Sequence, residues 1–522
     1  MRHLCRCRGL LFAALALAVP CTASAQDQDA FRLKVGGVYN AWFQNQQDFF
    51  LGQQEYDDRY IVQMLRFNVS VGYGDYIRAV TRVDVAQGWW GVDNDDWRAD
   101  QDADDNPTAS ARFGRKDTNY GPHVDIGYLE FFLPKGLVVA AANGNGNGSA
   151  QAPAETRPSV RVGRMYYGLG NKLVLDSNFD GVQVDVPVPA GKLGFGYAKV
   201  SEGADATTDL DLSGNGGVDA EDADLLYATF DGKAAGGAFS YGLFGMYYND
   251  RSDGDGTTFM PNGIDYFRAR FTPNISKLTA LGLTASYAIQ PLGLTLAGEF
   301  DYLTGEDNVA NANSGPNQLL DINNGDLSGY NLYLKATKSL GPKVDLGLVF
   351  GRGSGDDDLT GGAGNANKLK TMGFFYLTEV WEESIMPDEE GITPQGLGAP
   401  NTRGYRELEN TTAFQGSLTF RPAPKWRAQT SYSYLRATEP IRGWGDADGN
   451  GRIEASEFTA ESSRDIGSEV DFLIGYKPYP RLDLVLRGGY MWAGDATRLL
   501  INGNKNTDTN PWELKGVVEF TF

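Results

Sequence analysis

The chain has 522 residues and a formal net charge of −21, with 41% hydrophobic and 12% aromatic residues. Acidity of this size excludes a nucleic-acid partner, which needs a basic surface. The three cysteines, Cys5, Cys7 and Cys21, crowd the start, and of the two histidines only His123 lies beyond them, so neither a disulfide framework nor a zinc cage of histidine and cysteine is expected.

Residues 1–25 carry Arg2, Arg6 and Arg8, an apolar run from Leu10 to Pro20, and Ala23-Ser24-Ala25. That is the layout of a secretory signal peptide. The folded unit is then expected over 26–522. It holds no apolar run of about 18 residues, so no spanning helix is expected. Spanning barrels stay open, because they hide apolar residues in alternation.

Period-two alternation starts with FRLKVGGVYNAWF from Phe31. In RYIVQMLRFNVSVGY, Ile61, Leu65, Phe67, Val69 and Val71 oppose Arg66, Asn68 and Ser70. Further along, Leu292, Leu294, Leu296, Phe300 and Tyr302 oppose Thr295, Glu299 and Asp301. Tyr330, Leu332 and Leu334 follow, then Val344, Leu346, Leu348 and Phe350. From Pro480, Leu482, Leu484, Leu486, Tyr490 and Trp492 oppose Arg481, Asp483 and Arg487. The last residues, PWELKGVVEFTF, alternate to Phe522. Successive side chains of a strand point to opposite faces.

Short connections (189–191, 290–293, 340–342, 478–481) take turns with long acidic ones (88–122, 202–223, 250–263, 304–327, 353–369, 383–404, 438–464). Short turns on one side and long loops on the other are the habit of outer-membrane barrels. The expected fold is all-β: a transmembrane antiparallel up-and-down barrel of about 18 strands, within a range of roughly 16–20. A barrel of this size leaves an aqueous channel.

The stretch SVRVGRMYYGLGNKLVLDSNFDGVQVDV, the strand end GRGSGDDD and the segment DIGSEVDFLIGYKPYPRLDLVLRGGYMWAGDA resemble bacterial porins, most closely the alginate-export type. The resemblance implies an outer-membrane location in a Gram-negative bacterium. The terminal aromatic resembles the signal read by barrel insertion machinery. Alginate exporters have an arginine-rich lumen; here the expected lumen is mixed in sign.

A charge facing lipid costs about 2–4 kcal/mol at mid-depth, so alternation assigns Arg66, Arg78, Arg82, Arg427 and Arg487 to the pore lining. It assigns Glu299, Asp301, Asp345, Glu469 and Asp471 there too. Arg161 and Arg164 are expected at a constriction. These charges either select polar solutes or stiffen the wall as ion pairs.

GDADGNGRIEASEF matches a calcium loop of EF-hand type: Asp446, Asp448, Asn450, Arg452 through its carbonyl, Glu454 and Glu457 stand at the ligand positions, with Gly451 at the bend. A second copy places Asp211, Ser213, Asn215, Gly217, Asp219 and Asp222 at the same positions. The inserts at 211–222 and 446–457 are therefore expected to hold structural calcium in external loops; the plainer reading of either is a solvated acidic loop. His123 has Asp125 nearby but no serine motif, so no enzyme is expected. The expected function is a channel for hydrophilic solutes or sugar chains. The alternative is a calcium-dependent adhesive or assembly protein. Expected partners are outer-membrane lipid and lipopolysaccharide, small solutes or polysaccharide, and further copies of the chain.

Overall fold

Alternation of apolar and polar residues suits extended backbone with two chemically different faces, and the chain takes that form throughout. The structure, a computed structural model, describes residues 31–48, 51, 57–90, 123–133, 157–200, 223–250, 276–307, 325–355, 363–365, 377–381, 408–445, 447 and 458–522. The signal-peptide reading and every calcium-ligand position fall outside the described residues.

The strands are β1 (Phe31–Gln47), β2 (Asp57–Tyr73), β3 (Ile77–Trp89), β4 (His123–Phe132), β5 (Ser159–Gly168) and β6 (Asp176–Val188). Then come β7 (Gly191–Lys199), β8 (Asp224–Ala234), β9 (Phe239–Asn249), β10 (Lys277–Ile289), β11 (Leu294–Asp307) and β12 (Gly325–Ser339). The last are β13 (Val344–Gly353), β14 (Ala363–Asn365), β15 (Thr411–Phe420), β16 (Trp426–Trp444), β17 (Phe458–Tyr479), β18 (Leu482–Ala493) and β19 (Trp512–Thr521). All belong to one 19-stranded sheet. β14 lies parallel along the start of β12, while β13 pairs directly with β15. The remaining strands pair antiparallel in chain order, and β1 pairs with both β2 and β19. They form a closed 18-strand antiparallel barrel.

Closure runs from Val38↔Thr521 to Gln47↔Trp512. Phe522 extends the seam: its backbone N–H donates to Gly37 O at 3.0 Å, and its ring meets Phe67 edge-on with centroids 5.5 Å apart. The short connections at one end include 74–76, 189–190, 235–238, 290–293, 340–343, 421–425 and 480–481. The longer ones lie at the other end. Two connections break this sorting: 133–158 is long at the turn end, and 169–175 is short at the loop end.

The outer face is apolar. Leu281, Leu283, Phe300, Tyr302, Phe414 and Tyr432 are exposed on it, and Leu348 is 66% exposed. Glu299, Asp301, Asn331, Glu469, Asp471 and Glu513, on the opposite face, are buried.

Two segments fill the loop end of the interior. β5 pairs with β4 only as far as Arg164↔Gly127, and β6 pairs with β7 only as far as Asp180↔Lys199. Between these points the β5 and β6 residues pair only with each other. The hairpin therefore leaves the wall and leans inward. Met165, Tyr167, Leu169, Val174, Leu175 and Phe179 pack on Leu225, Met246, Tyr248, Leu278 and Leu303 of the inner wall. The second segment, 377–381, packs with a helix, α1 (Asp495–Asn502), through Val380, Trp381, Leu499, Leu500 and Ile501. Asp495 in the first turn suits the helix N-terminus. Gly503, left-handed at φ 71°, returns its N–H to Leu499 O and ends the helix.

A Cβ on Gly37 would strike the Phe522 ring and the Arg66 carbonyl oxygen. Gly37→Val is expected to cost about 1–3 kcal/mol by overpacking the seam. It should lower the temperature at which the folded band converts to the unfolded band on unboiled gels; an unchanged temperature would show that the seam can absorb the methyl groups.

Candidate functional site

The inner face of β2–β7 carries a continuous set of ion pairs. Arg66 forks onto Asp84 at 2.5 and 2.7 Å and reaches Asp125 at 3.4 Å. Arg82 also pairs with Asp125, and Arg78 pairs with Glu130. Arg161 lies between Asp185, with which it pairs, and Glu130 at 4.0 Å. Lys192 approaches Asp185 at 3.6 Å. Two register shifts build this set: one between Leu65 and Arg66 on β2, the other between Arg82 and Val83 on β3. A bulge adds a residue to one strand and re-aims its neighbours. Asp125 is such an extra residue on β4, which lets it meet Arg66 and Arg82 together.

The polar side of the inward hairpin faces these groups. Asn178 Nδ2 donates to Asp125 Oδ1 at 2.7 Å. Lys172 Nζ sits 5.2 Å from the centre of the Tyr166 ring and 3.5 Å from the buried Asp176. The hairpin thus has an apolar side on β7–β11 and a polar side toward the arginines.

Carboxylates on the inner wall hold both inward segments. On β11, Glu299 accepts the backbone N–H of Asn171 at the hairpin tip. Gly170 makes that approach possible: it is left-handed at φ 56°, and a Cβ there would strike the Glu299 carboxylate. On β17, Glu469 accepts N–H groups from Val380 at 2.6 Å and Trp381 at 3.0 Å. Asp471 accepts from Glu379 N at 3.4 Å, and Arg487 Nε on β18 pairs with the Glu379 carboxylate at 2.7 Å.

The residues expected to line the pore therefore divide. Arg66, Arg78, Arg82 and Arg161 gather on β2–β5, Glu299 and Asp301 on β11, and Glu469, Asp471 and Arg487 on β17 and β18. Asp345 lies at the turn end, where it pairs with Arg421 at 2.5 Å and accepts from Ser339 Oγ at 2.7 Å. Arg427 is also at the turn end, exposed and opposite Gly475. Arg164, three residues along β5 from Arg161, pairs with Asp180 at 3.2 Å, on the same side of the hairpin as Tyr166 and Asn178. The sequence reading missed Asp125, Glu130 and Asp185 as arginine partners, and Glu379, Val380 and Trp381 as an inward segment. A visible signal for Glu130 was its alternation with Leu129 and Phe131, both exposed on the outer face.

Among the described residues, no group of three or more histidine, cysteine or acidic residues stands where a metal could be held.

Removing the Glu469 carboxylate should free the segment it holds. In a chain with Cys5, Cys7 and Cys21 changed to serine, a Val380→Cys thiol is expected to react slowly with a hydrophilic maleimide. Adding Glu469→Ala should speed labelling about tenfold or more, because two backbone hydrogen bonds worth roughly 0.5–1.5 kcal/mol each are lost together. Equal labelling rates would remove the anchoring role.

No protein-family model matches the chain, and no curated protein does. Among solved structures it is similar to OccK2 (OpdF) of Pseudomonas aeruginosa, at 12% identity and a TM-score of 0.47 over 94% of this chain and 97% of that one. It is similar to OccK9 (OpdG) of the same organism, at 12% identity and 0.48 over 94% and 98%. OccK8 (OprE) of that organism matches at 11% identity and 0.47 over 94% and 98%.

Proposed function

We propose that the chain is an outer-membrane porin: a passive or substrate-selective channel for small hydrophilic solutes or sugar chains. The observation that carries this reading is the inversion of faces. Large apolar side chains such as Leu348, Leu281 and Phe300 are exposed around the outside, while Glu299, Asp301, Glu469 and Asp471 are buried within. A water-soluble barrel would turn them the other way. Outer-membrane lipid is then the solvent of the wall, and water that of the lumen.

The chain's own residues set the passage. The inward hairpin narrows the lumen from the β5–β6 side, and segment 377–381 narrows it from the β17–β18 side. A solute passing between them meets an arginine–carboxylate row on one flank and anchored carboxylates on the other. Opposed charges across a narrow passage orient polar solutes and water. Planar-bilayer recording should give defined conductance steps. Replacing 169–175 by a tight two-residue turn should enlarge them by removing the hairpin's plug. Silence in the bilayer, together with retention of a surface partner, would instead favour the adhesive reading.

Calcium belongs to the same proposal. Trp444 pairs with Phe458, so the strand ribbon β16–β17 closes next to both ends of the 446–457 motif. A loop of EF-hand type needs its first and last ligands brought together, and a ribbon can do this where other proteins use helices. Asp446, Asp448, Asn450, Glu454 and Glu457 would supply the oxygens. Titration calorimetry should show binding with a Kd of about 10⁻⁴–10⁻³ M, weakened by Glu457→Gln. No heat at millimolar calcium would leave this loop as a solvated acidic connection.

A further inference from the structure

The outer wall is not smooth. A groove of about 610 Å³ crosses β11–β17 on the apolar face, within the span of roughly 300–1,000 Å³ usual for small-molecule sites. Its floor is Gly416, whose register partners Leu348 and Tyr432 stand on either side at 66% and 53% exposure. Leu346 and Leu418 form the end nearest the turns. Beside that end lies Lys338, the register partner of Leu346 and Leu294. Its Nζ donates to the Leu292 carbonyl, which leaves further ammonium protons available.

The surroundings of Lys338 set it apart from the rest of the molecule. The chain has a net charge of −21. Yet the turn end from β12 to β18 carries Lys338, Lys343, Arg421, Lys425, Lys477 and Arg481, of which Lys338 lines the groove. Asp345 pairs with Arg421, and Asp483 pairs with Lys477. Lys343, Lys425 and Arg481 are exposed, and none of them, nor Lys338, forms an ion pair with another described residue. A lysine at the rim of an apolar groove, on a turn end with further exposed cations, matches a molecule with an anionic head and a hydrocarbon tail.

We infer that this groove is a binding site for one anionic phospholipid of the turn-side leaflet. An acyl chain lies over Gly416 between Leu348 and Tyr432, and the head-group phosphate meets Lys338 and the neighbouring turn cations. The inference rests on the porin reading, because it needs the outer face to lie in a bilayer. The absent side chain at Gly416 is what makes room. A Cβ there would stand 4.0 Å from Leu348 Cδ2, so a larger residue can enter the groove without moving the backbone.

The test uses the full chain refolded into detergent micelles and native mass spectrometry. Phosphatidylglycerol, or phosphatidylcholine with the same acyl chains, is added to separate samples. One phosphatidylglycerol should stay bound at collision energies that strip detergent, and phosphatidylcholine should not. Lys338→Gln should lower retention about fivefold, the effect of one lysine beside an anionic lipid. Gly416→Leu should abolish retention, with far-ultraviolet circular dichroism showing the barrel intact. Equal retention of both lipids, or of phosphatidylglycerol by wild type and Gly416→Leu alike, would overturn the site. So would dimer or trimer masses that Gly416→Leu abolishes, since they would assign the groove to a second copy. A chain that stays monodisperse without detergent would overturn the membrane reading itself. A barrel that needs detergent but holds no lipid would overturn only the groove.

Discussion

The backbone pairing of β1 with β19 is the contact on which the rest depends. Hydrocarbon offers no partner to an N–H or C=O group, and each one left bare there costs several kcal/mol. An open sheet of this size would present two long edges with that cost at every rung. The register from Val38↔Thr521 to Gln47↔Trp512 removes both edges at once. Phe522 and Gly37 carry the same seam to its turn-side end, and Phe67 covers it with an aromatic contact. Only a closed wall can keep Leu348 and Phe300 outside while Glu299 and Asp471 stay within.

Closure then creates a second problem, a wide interior with polar and apolar regions to satisfy. The inward hairpin answers it by having two unlike sides. Its odd-numbered β5 residues, Met165 and Tyr167, cover apolar inner positions of β8–β11. Asn178 turns toward the charged quarter and bonds Asp125. Hence the apolar cluster inside the barrel is no exception to the polar-lumen rule. It is wall that a folded-in segment has already taken from water. Segment 377–381 and α1 do the same beside β16–β18.

Sequence alternation reports which face a residue takes, and it was sufficient for the closed antiparallel barrel and for the outward band. It carries no information on whether a strand pair stays in the wall. The β5–β6 hairpin alternates as regularly as any other, and only the loss of its outer partners at Gly127 and Lys199 marks the departure. Bulges defeat alternation in another way. Asp125 belongs to neither face until the register shift opposite Arg82 places it. The helix Asp495–Asn502 was hidden because eight helical residues between two strongly alternating strands leave little periodic signal.

The inner carboxylates unite these observations. Glu299 and Glu469 lie on different strands, β11 and β17, yet each accepts backbone N–H groups from a segment that has left the wall. A loop brought into a lumen brings unpaired amides with it, and a carboxyl oxygen on the wall gives them an acceptor. The arginines meet the complementary need: Arg66, Arg78, Arg82 and Arg161 each hold a carboxylate. The field across the passage is therefore smaller than a count of lumenal charges suggests. It is set by the dipoles of fixed pairs more than by the net charge of the lining.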